Sequence, residues 1–327
     1  MRQKVLIARA IFPEIVDRLE AYFDVESNQE DRIFPGQELI EKLRGVDGFF
    51  TSPTERVDAT VIAASPTLKA VCNMAVGYNN IDLDAATRAG IMVTNTPDVL
   101  NESTADFAWA LLLATARRVT EAEQWLRAGK WGRWRFDTLL GADVHGATLG
   151  IVGMGRIGQA IARRSIGFGM RVIYHNRSRL SDELEDQANH AQYVSKDELL
   201  RSADHLVLAL PYSSQSHHTI GAAELAMMKP TATLINIARG GIVDDAALIV
   251  ALRAKRIAAA GLDVFENEPA FDPAFLALSN VVLTPHIGSA TEKTRRAMAD
   301  CAANNLIAAL TGAMPPNILN PAVRRKG

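Results

Sequence analysis

Late in the chain, three short segments each offer a reactive side chain: a guanidinium in Asn236-Ile-Ala-Arg239-Gly-Gly, a carboxylate in Asp263-Val-Phe-Glu-Asn-Glu268-Pro and an imidazole in Thr284-Pro-His286-Ile-Gly-Ser289. Singly, each has a plain reading. Arg239 is a turn residue beside Gly240 and Gly241, Glu268 an exposed loop acid, and His286 a hydrogen-bonded histidine behind a proline. Upstream, however, stands Gly153-Met-Gly155-Arg-Ile-Gly158, directly after the apolar run Leu149–Val152 and at the start of a helical pattern. In that setting the first glycine permits a tight turn, the second lets backbone approach a pyrophosphate, and the third lets helix and strand pack closely. Helix N-terminal N–H groups then face the negative charge. Beside a dinucleotide, the three later groups match what reduction of a keto acid requires. Arginine grips a carboxylate in bidentate fashion and orients the carbonyl; histidine supplies the proton for the nascent alkoxide; a neighbouring carboxylate fixes the imidazole and favours its charged form. The nicotinamide supplies the hydride.

About 20 residues past such a glycine loop, an acid normally ends the second strand and binds the adenosine ribose. Here the chain reads Tyr174-His175-Asn176-Arg177-Ser178-Arg179. Asn176 does not repel a 2′-phosphate, and Arg177 or Arg179 can pair with one, which points to NADP as the preferred cofactor with NAD possible. The alternative is that both arginines are solvated surface. The adjacent His217 and His218 are expected to point in different directions on a strand or helix, so no metal site is expected. Leu111 to Leu113 read as core.

The elements that must position these groups follow from periodicity. Short apolar runs alternate with amphipathic stretches from Val5 to Val93, the mark of βαβ units and a parallel sheet. Ala105 to Arg118 reads as a long buried helix behind the capping residues Asn101, Ser103 and Thr104. Gln124 to Asp143, with Trp125, Trp131 and Trp134, lacks a clear strand or helix period in its second half and reads as a functional or interfacial loop. A second series supplies six strands: Thr148–Val152, Arg171–Tyr174, His205–Leu210, Thr233–Ile237, Ala258–Leu262 and Val281–Leu283. Thr291 to Leu310 reads as one long helix, ended by Gly312 and Pro315-Pro316.

A chain of 327 residues favours two domains. The expected fold class is α/β, with two doubly wound parallel-sheet domains: a Rossmann cofactor domain over 101–288, inserted in a flavodoxin-like substrate domain over 1–100 plus 289–327. A net charge of −2, with 48% hydrophobic and 22% charged residues, argues against nucleic acid or an anionic membrane as partner. The tail Arg324-Arg325-Lys326 reads as a solvated end. Cys72 and Cys301 are too isolated for a disulfide framework or structural metal. With no long apolar run and Val5–Ala8 too short for a signal-peptide core, a cytoplasmic location is expected.

Nearly the whole chain resembles the D-isomer-specific 2-hydroxyacid dehydrogenase family, closest to its glyoxylate/hydroxypyruvate reductase or 2-ketogluconate reductase branch. The segments that carry the likeness are Ser52-Pro-Thr-Glu-Arg56, Asn73-Met-Ala-Val-Gly-Tyr-Asn-Asn-Ile-Asp82, Leu149 to Gly158, Ile237 to Gly241, Gly261 to Glu266 and Pro285 to Ser289. The resemblance implies Arg239, Glu268 and His286 as catalytic residues, with Val76 and Gly77 N–H groups receiving the substrate carboxylate together with Arg239. It also implies Asp263 near the nicotinamide carboxamide, and Arg156, Ile157, Pro211, Ser216, Ile237, Ala238, Gly288 and Ser289 along the cofactor. A homodimer through the cofactor domains is implied, with Trp134 reaching the partner's site. Asn176 departs from the NAD form of the pattern, so the cofactor cannot be copied from the wider family. Formate dehydrogenases of the family carry Gln where this chain has Glu268. Two readings stand beside the reductase: a phosphoglycerate dehydrogenase-like enzyme, and a dinucleotide-sensing corepressor without turnover.

Overall fold

The computed structural model describes residues 2–323, and these divide into two compact units, 2–100 with 291–323, and Asn101–Ala290. The basic tail, residues 324–326, lies outside the described residues.

In the first unit, five parallel strands stand in the order β2-β1-β3-β4-β5: β1 (Lys4–Ile7), β2 (Asp24–Ser27), β3 (Gly48–Thr51), β4 (Ala70–Asn73) and β5 (Met92–Thr94). This is the flavodoxin-like order. The interior strands β3 and β4 are buried along their whole length, as expected where helices cover both faces. β2 is an addition to the sequence reading. Its residues Asp-Val-Glu-Ser lie on the sheet edge and none is buried, so it carries no apolar run to detect. The helix Glu292–Leu310 returns to this unit, capped by the Thr291 side chain on the Thr294 N–H. It lies so close to β3 that a Cβ on Gly48 would stand 2.7 Å from Leu310 and 2.8 Å from Leu306.

The second unit holds seven parallel strands in the order β12-β11-β10-β9-β6-β7-β8: β6 (Thr148–Val152), β7 (Arg171–His175), β8 (Gln192–Tyr193), β9 (His205–Leu208), β10 (Thr233–Asn236), β11 (Ala259–Leu262) and β12 (Val281–Leu283). Counting from the glycine turn, this is the dinucleotide-binding order with one strand added beyond β11. The sequence reading has six strands; β8 is the seventh, only two exposed residues at the edge. The helix Asn101–Ala116 begins four residues before the expected start, so Asn101 to Thr104 form its first turn. Gly261 on β11 admits this helix, since a Cβ there would stand 2.5 Å from Thr115 Oγ1. The segment read as loop from Gln124 is helical to Arg127, in a helix with no buried residue, Val119–Arg127. Beyond it Trp134 is 78% and Phe136 81% exposed.

Candidate active site

The glycine turn follows β6. Gly153 adopts a left-handed φ of +97°, and a Cβ on it would lie 2.7 Å from the Ala209–Leu210 backbone. On Gly158 a Cβ would fall 2.3 Å from the Gly153 carbonyl oxygen. Both positions therefore exclude side chains for the sake of the fold. Gly155 differs: an added Cβ would meet no protein atom within 4 Å. Packing does not demand glycine there, and the open space in front of it, at the start of the helix Arg156–Arg164, fits the close approach of a pyrophosphate.

At the end of β7, the Asn176 Oδ1 accepts the Met154 N–H at 2.7 Å, so this side chain braces the glycine turn. The two arginines beyond it diverge. Arg179 is committed to Glu185, with Nε to Oε1 at 2.9 Å and Nη2 to Oε2 at 2.6 Å, and it also meets Asp182 at 3.0 Å. Hydrogen bonding from Arg179 holds the Glu185 carboxyl below its ordinary range. Burial, with Glu185 beside it, pushes the Tyr174 hydroxyl up to about 12. Arg177 is exposed and has no ion-pair partner among the described residues. Past β9, Ser216 Oγ donates to the Pro211 carbonyl at 2.9 Å and accepts the Ser213 N–H at 2.7 Å, closing a tight loop.

Arg239, Glu268 and His286 leave the same end of neighbouring parallel strands β10, β11 and β12. At the end of β10, Asn236 bends the chain: its Oδ1 accepts the Ala238 N–H at 3.1 Å and its Nδ2 donates to the Arg239 carbonyl at 3.3 Å. Gly240 then packs against the Phe265 carbonyl so tightly that a Cβ would stand 1.7 Å from it, which joins the arginine segment to the glutamate segment. The Arg239 guanidinium donates to the Ala238 carbonyl at 2.8 Å, and no carboxylate among the described residues forms an ion pair with it. Burial lowers its pKa, opposed by the charge of Glu268. It remains a cation, as guanidinium does in proteins.

Glu268 is shared between the backbone and the histidine. Its Oε1 accepts the Phe265 N–H at 2.8 Å and its Oε2 meets His286 Nδ1 at 2.8 Å. With Nδ1 so engaged, Nε2 is the nitrogen left to face a ligand; it has no partner among the described residues. His286 holds a left-handed φ of +54°, a conformation that costs a non-glycine residue about 1 kcal/mol or more. The buried Asp263 holds this turn in place. Its Oδ1 accepts Thr284 Oγ1 and the Ile287 N–H, each at 2.8 Å, and its Oδ2 accepts the Gly288 N–H at 2.8 Å. Burial raises the Asp263 carboxyl above its ordinary value against these three donors. Such anchoring escaped the sequence reading, which has Asp263 as a cofactor contact; the only signal for it is the Thr-Pro-His-Ile-Gly stretch arriving on the adjacent strand.

The histidine pair is a correction. His217 and His218 do not diverge: their rings stack with centroids 3.8 Å apart and planes 24° from parallel. The expectation assumed strand or helix periodicity, but His218 sits in a turn with φ +50°. His218 Nε2 meets Glu266 Oε1 at 2.6 Å and Tyr212 Oη meets His217 Nδ1 at 3.2 Å. His217, His218 and Glu266 thereby bring ligand atoms within 4.8 Å of one another.

In the first unit, the segment after β4 carries Val76 and Gly77, both half-buried. Their carbonyls accept Asn95 Nδ2 at 2.9 Å and Asn73 Nδ2 at 2.8 Å. No described residue accepts their N–H groups.

Comparison with known proteins shows the family. A family model described as D-isomer specific 2-hydroxyacid dehydrogenase, NAD binding domain, matches residues 109–288. The glyoxylate reductase of Thermococcus gammatolerans is 50% identical over 327 residues, spanning 99% of this chain and 97% of that protein. That of Thermococcus kodakarensis is also 50% identical, over 99% of this chain and 98% of its own. The crystal structure of NADPH-dependent glyoxylate/hydroxypyruvate reductase from Sinorhizobium meliloti, in complex with NADP and malonate, superposes with a TM-score of 0.88 at 35% identity, covering 100% of this chain and 99% of that one. With two parallel α/β sheets, a glycine turn of dinucleotide form and likeness along its whole length, the chain belongs to the D-isomer-specific 2-hydroxyacid dehydrogenase family.

Proposed function

We propose that the chain reduces small 2-keto acids, with glyoxylate, hydroxypyruvate and 2-ketogluconate as candidates, to D-2-hydroxy acids at the expense of a reduced nicotinamide dinucleotide. The observation that carries this reading is the His286–Glu268 couple, joined through the loop at Phe265 to Arg239, with neither His286 Nε2 nor the guanidinium met by a carboxylate among the described residues. When bound, the dinucleotide supplies the hydride. Arg239 holds the substrate carboxylate and polarises the carbonyl beside it. In the first unit, the Val76 and Gly77 N–H groups have no acceptor among the described residues and suit a carboxylate. His286 donates its Nε2 proton to the oxygen that becomes the hydroxyl, while Glu268 keeps the ring's tautomer and direction fixed.

Gly153, Gly155, Arg156, Ile157 and Gly158 serve the pyrophosphate. Pro211, Ser216, Ile237, Ala238, Gly288 and Ser289 line the rest of the cofactor. Asp263 has one lone pair to spare on Oδ2, enough for a carboxamide N–H. NADP is the preferred form: Asn176 removes the acid that would repel a 2′-phosphate, and Arg177, without an ion-pair partner among the described residues, is the cation to meet it, Arg179 being occupied by Glu185. The glyoxylate reductases at 50% identity support the keto-acid reading, and the NADPH-dependent structural relative supports the cofactor reading.

The exposed Trp131, Trp134 and Phe136 suit a second copy of the chain as partner, a homodimer with Trp134 reaching the partner's site. No helix among the described residues is long and apolar enough to cross a membrane. The free thiols Cys72 and Cys301 suit a reducing cytoplasm.

Oxidation of NADPH and NADH, followed by loss of reduced-nicotinamide absorbance with each of the three keto acids, tests the reading. Turnover of at least one, faster with NADPH, is expected. Tight dinucleotide binding without any turnover would replace it by a sensing role.

A further inference from the structure

The segment after β4 sorts its two kinds of backbone group. Four successive carbonyls, from Ala75 to Tyr78, are all taken: by the Thr96 N–H at 2.9 Å, Asn95 Nδ2 at 2.9 Å, Asn73 Nδ2 at 2.8 Å and the Ile81 N–H at 3.0 Å. From Val76 to Asn80, by contrast, no N–H donates to a described residue. A trans peptide is planar, so the N–H of each residue points opposite to the carbonyl before it. Pinning the Ala75 carbonyl therefore aims the Val76 N–H outward, pinning Val76 aims Gly77, and pinning Gly77 aims Tyr78. Successive N–H groups so presented form an anion-binding concavity.

Two of those pins are side chains from elsewhere in the unit. Asn73 ends β4 and is fully buried; Asn95 follows β5 and is 8% exposed. Asn95 is itself tied down, its carbonyl accepting Nδ2 of the fully buried Asn305 at 3.0 Å and its N–H reaching the Asn317 carbonyl at 3.3 Å. An amide on a short stem suits this duty because it donates to a carbonyl without bringing charge.

We propose that Asn73 and Asn95 are positioning residues for the substrate: by holding the Gly77 and Val76 carbonyls inward they set the N–H groups of Tyr78 and Gly77 beside that of Val76 as a receptor for the substrate carboxylate. The inference rests on the keto-acid reading above. Because the carboxylate is gripped alike in ground and transition states, loss of the receptor raises KM and leaves kcat nearly unchanged.

Asn95→Ala and Asn73→Ala test this beside Asn28→Ala, a control in the same unit whose side chain also donates to two carbonyls, of Ala8 at 2.8 Å and Arg32 at 2.6 Å, away from the segment. The readouts are KM and kcat for glyoxylate, inhibition by oxamate, dissociation of the dinucleotide and thermal midpoint. In Asn95→Ala, KM and the oxamate inhibition constant rise together by about tenfold or more, kcat stays within about threefold, and dinucleotide affinity stays at the wild-type value. Asn28→Ala lowers the midpoint without moving KM. The proposal is overturned if both folded asparagine variants keep KM and oxamate inhibition within about twofold of wild type, or if Asn28→Ala raises KM as much. Absence of turnover in the wild type would instead sink the keto-acid reading; oxamate calorimetry on the same variants still decides the receptor.

Discussion

On the proposed function, two segments of this molecule offer backbone N–H groups to a ligand, and they achieve it by different means. After β6, a glycine turn leads into the helix Arg156–Arg164, whose own turns offer its first N–H groups no acceptor. After β4 no helix follows until Leu83, and the N–H groups are bared because their carbonyls are claimed one by one, two of them by asparagine side chains. The first device is local: three glycines within six residues specify it. The second is assembled from Asn73 and Asn95, two positions that only the sheet brings together. A local device depends on what is absent at a position, namely a Cβ, whereas an assembled one depends on a side chain that is present. Substitutions therefore break them in distinguishable ways.

The largest effect belongs to neither loop but to the chemistry they serve. His286→Ala is expected to lower kcat by about 10²–10⁴ while dinucleotide affinity holds, and Glu268→Gln to lower it less, since Nδ1 keeps a hydrogen-bond acceptor. Single-turnover rates would check both; near-wild-type turnover in His286→Ala means the proton comes from another group. Next in size is Gly155→Ala. An added Cβ meets no protein atom within 4 Å, so the thermal midpoint should not change, yet the methyl occupies the space read as the pyrophosphate's. Dinucleotide affinity should fall by about tenfold or more, a loss of ~1.4 kcal/mol. Gly158→Ala should do the reverse in emphasis, since its Cβ collides with the Gly153 carbonyl and the unit itself loses stability. If Gly155→Ala melts early and binds normally, the local device is a packing motif and nothing more.

The same contrast explains what could be read from sequence. Strands wholly buried in the sheets, such as Gly48–Thr51 and His205–Leu208, appear as apolar runs, and so the α/β class and both parallel sheets are legible. The edge strands Asp24–Ser27 and Gln192–Tyr193 have little to bury and leave no pattern. Around the candidate site, Arg239, Glu268 and His286 stand out by type and by their place after apolar runs. What holds them does not. Asp263 serves residues more than twenty positions away, and His218, on a left-handed backbone, meets Glu266 forty-eight positions on. Residue type tells which group can react; the partner that orients it is fixed by strand order, which no short window of sequence contains.

Cofactor choice offers a smaller effect that sharpens the account of the first loop. Arg177→Ala should reduce the preference for NADPH over NADH in kcat/KM by about tenfold, as loss of a charge-assisted contact of ~1.5 kcal/mol implies. Arg179→Ala should change the ratio much less, because that guanidinium is spent on Glu185 and Asp182. Asn176→Asp should shift the ratio toward NADH through repulsion of the 2′-phosphate. An unchanged ratio in both Arg177→Ala and Asn176→Asp would remove this end of β7 from cofactor selection.

The smallest effect concerns a buried acid near the glutamate loop. Asp245 opens the helix Asp245–Arg253 and accepts the Glu266 N–H at 3.0 Å through Oδ2. Burial, with Glu266, Asp244 and Asp272 adding repulsion, raises its carboxyl from 3.8 to about 6. Ionisation is thus disfavoured in the folded chain, and the folded state binds more protons than the unfolded one between those two values. The sign follows: the contribution to stability is full below about pH 4 and is lost as pH rises through about 6. The shift corresponds to roughly 3 kcal/mol, of which solvent screening leaves about 1–2. Asp245→Asn keeps an oxygen to accept the Glu266 N–H but cannot ionise. Its thermal midpoint should exceed that of wild type by a few degrees at about pH 8, and the two should converge at about pH 4. A midpoint gap that is independent of pH would mean that the acid acts through its hydrogen bond alone, and that the charge crowded behind the Glu268 loop costs the fold nothing.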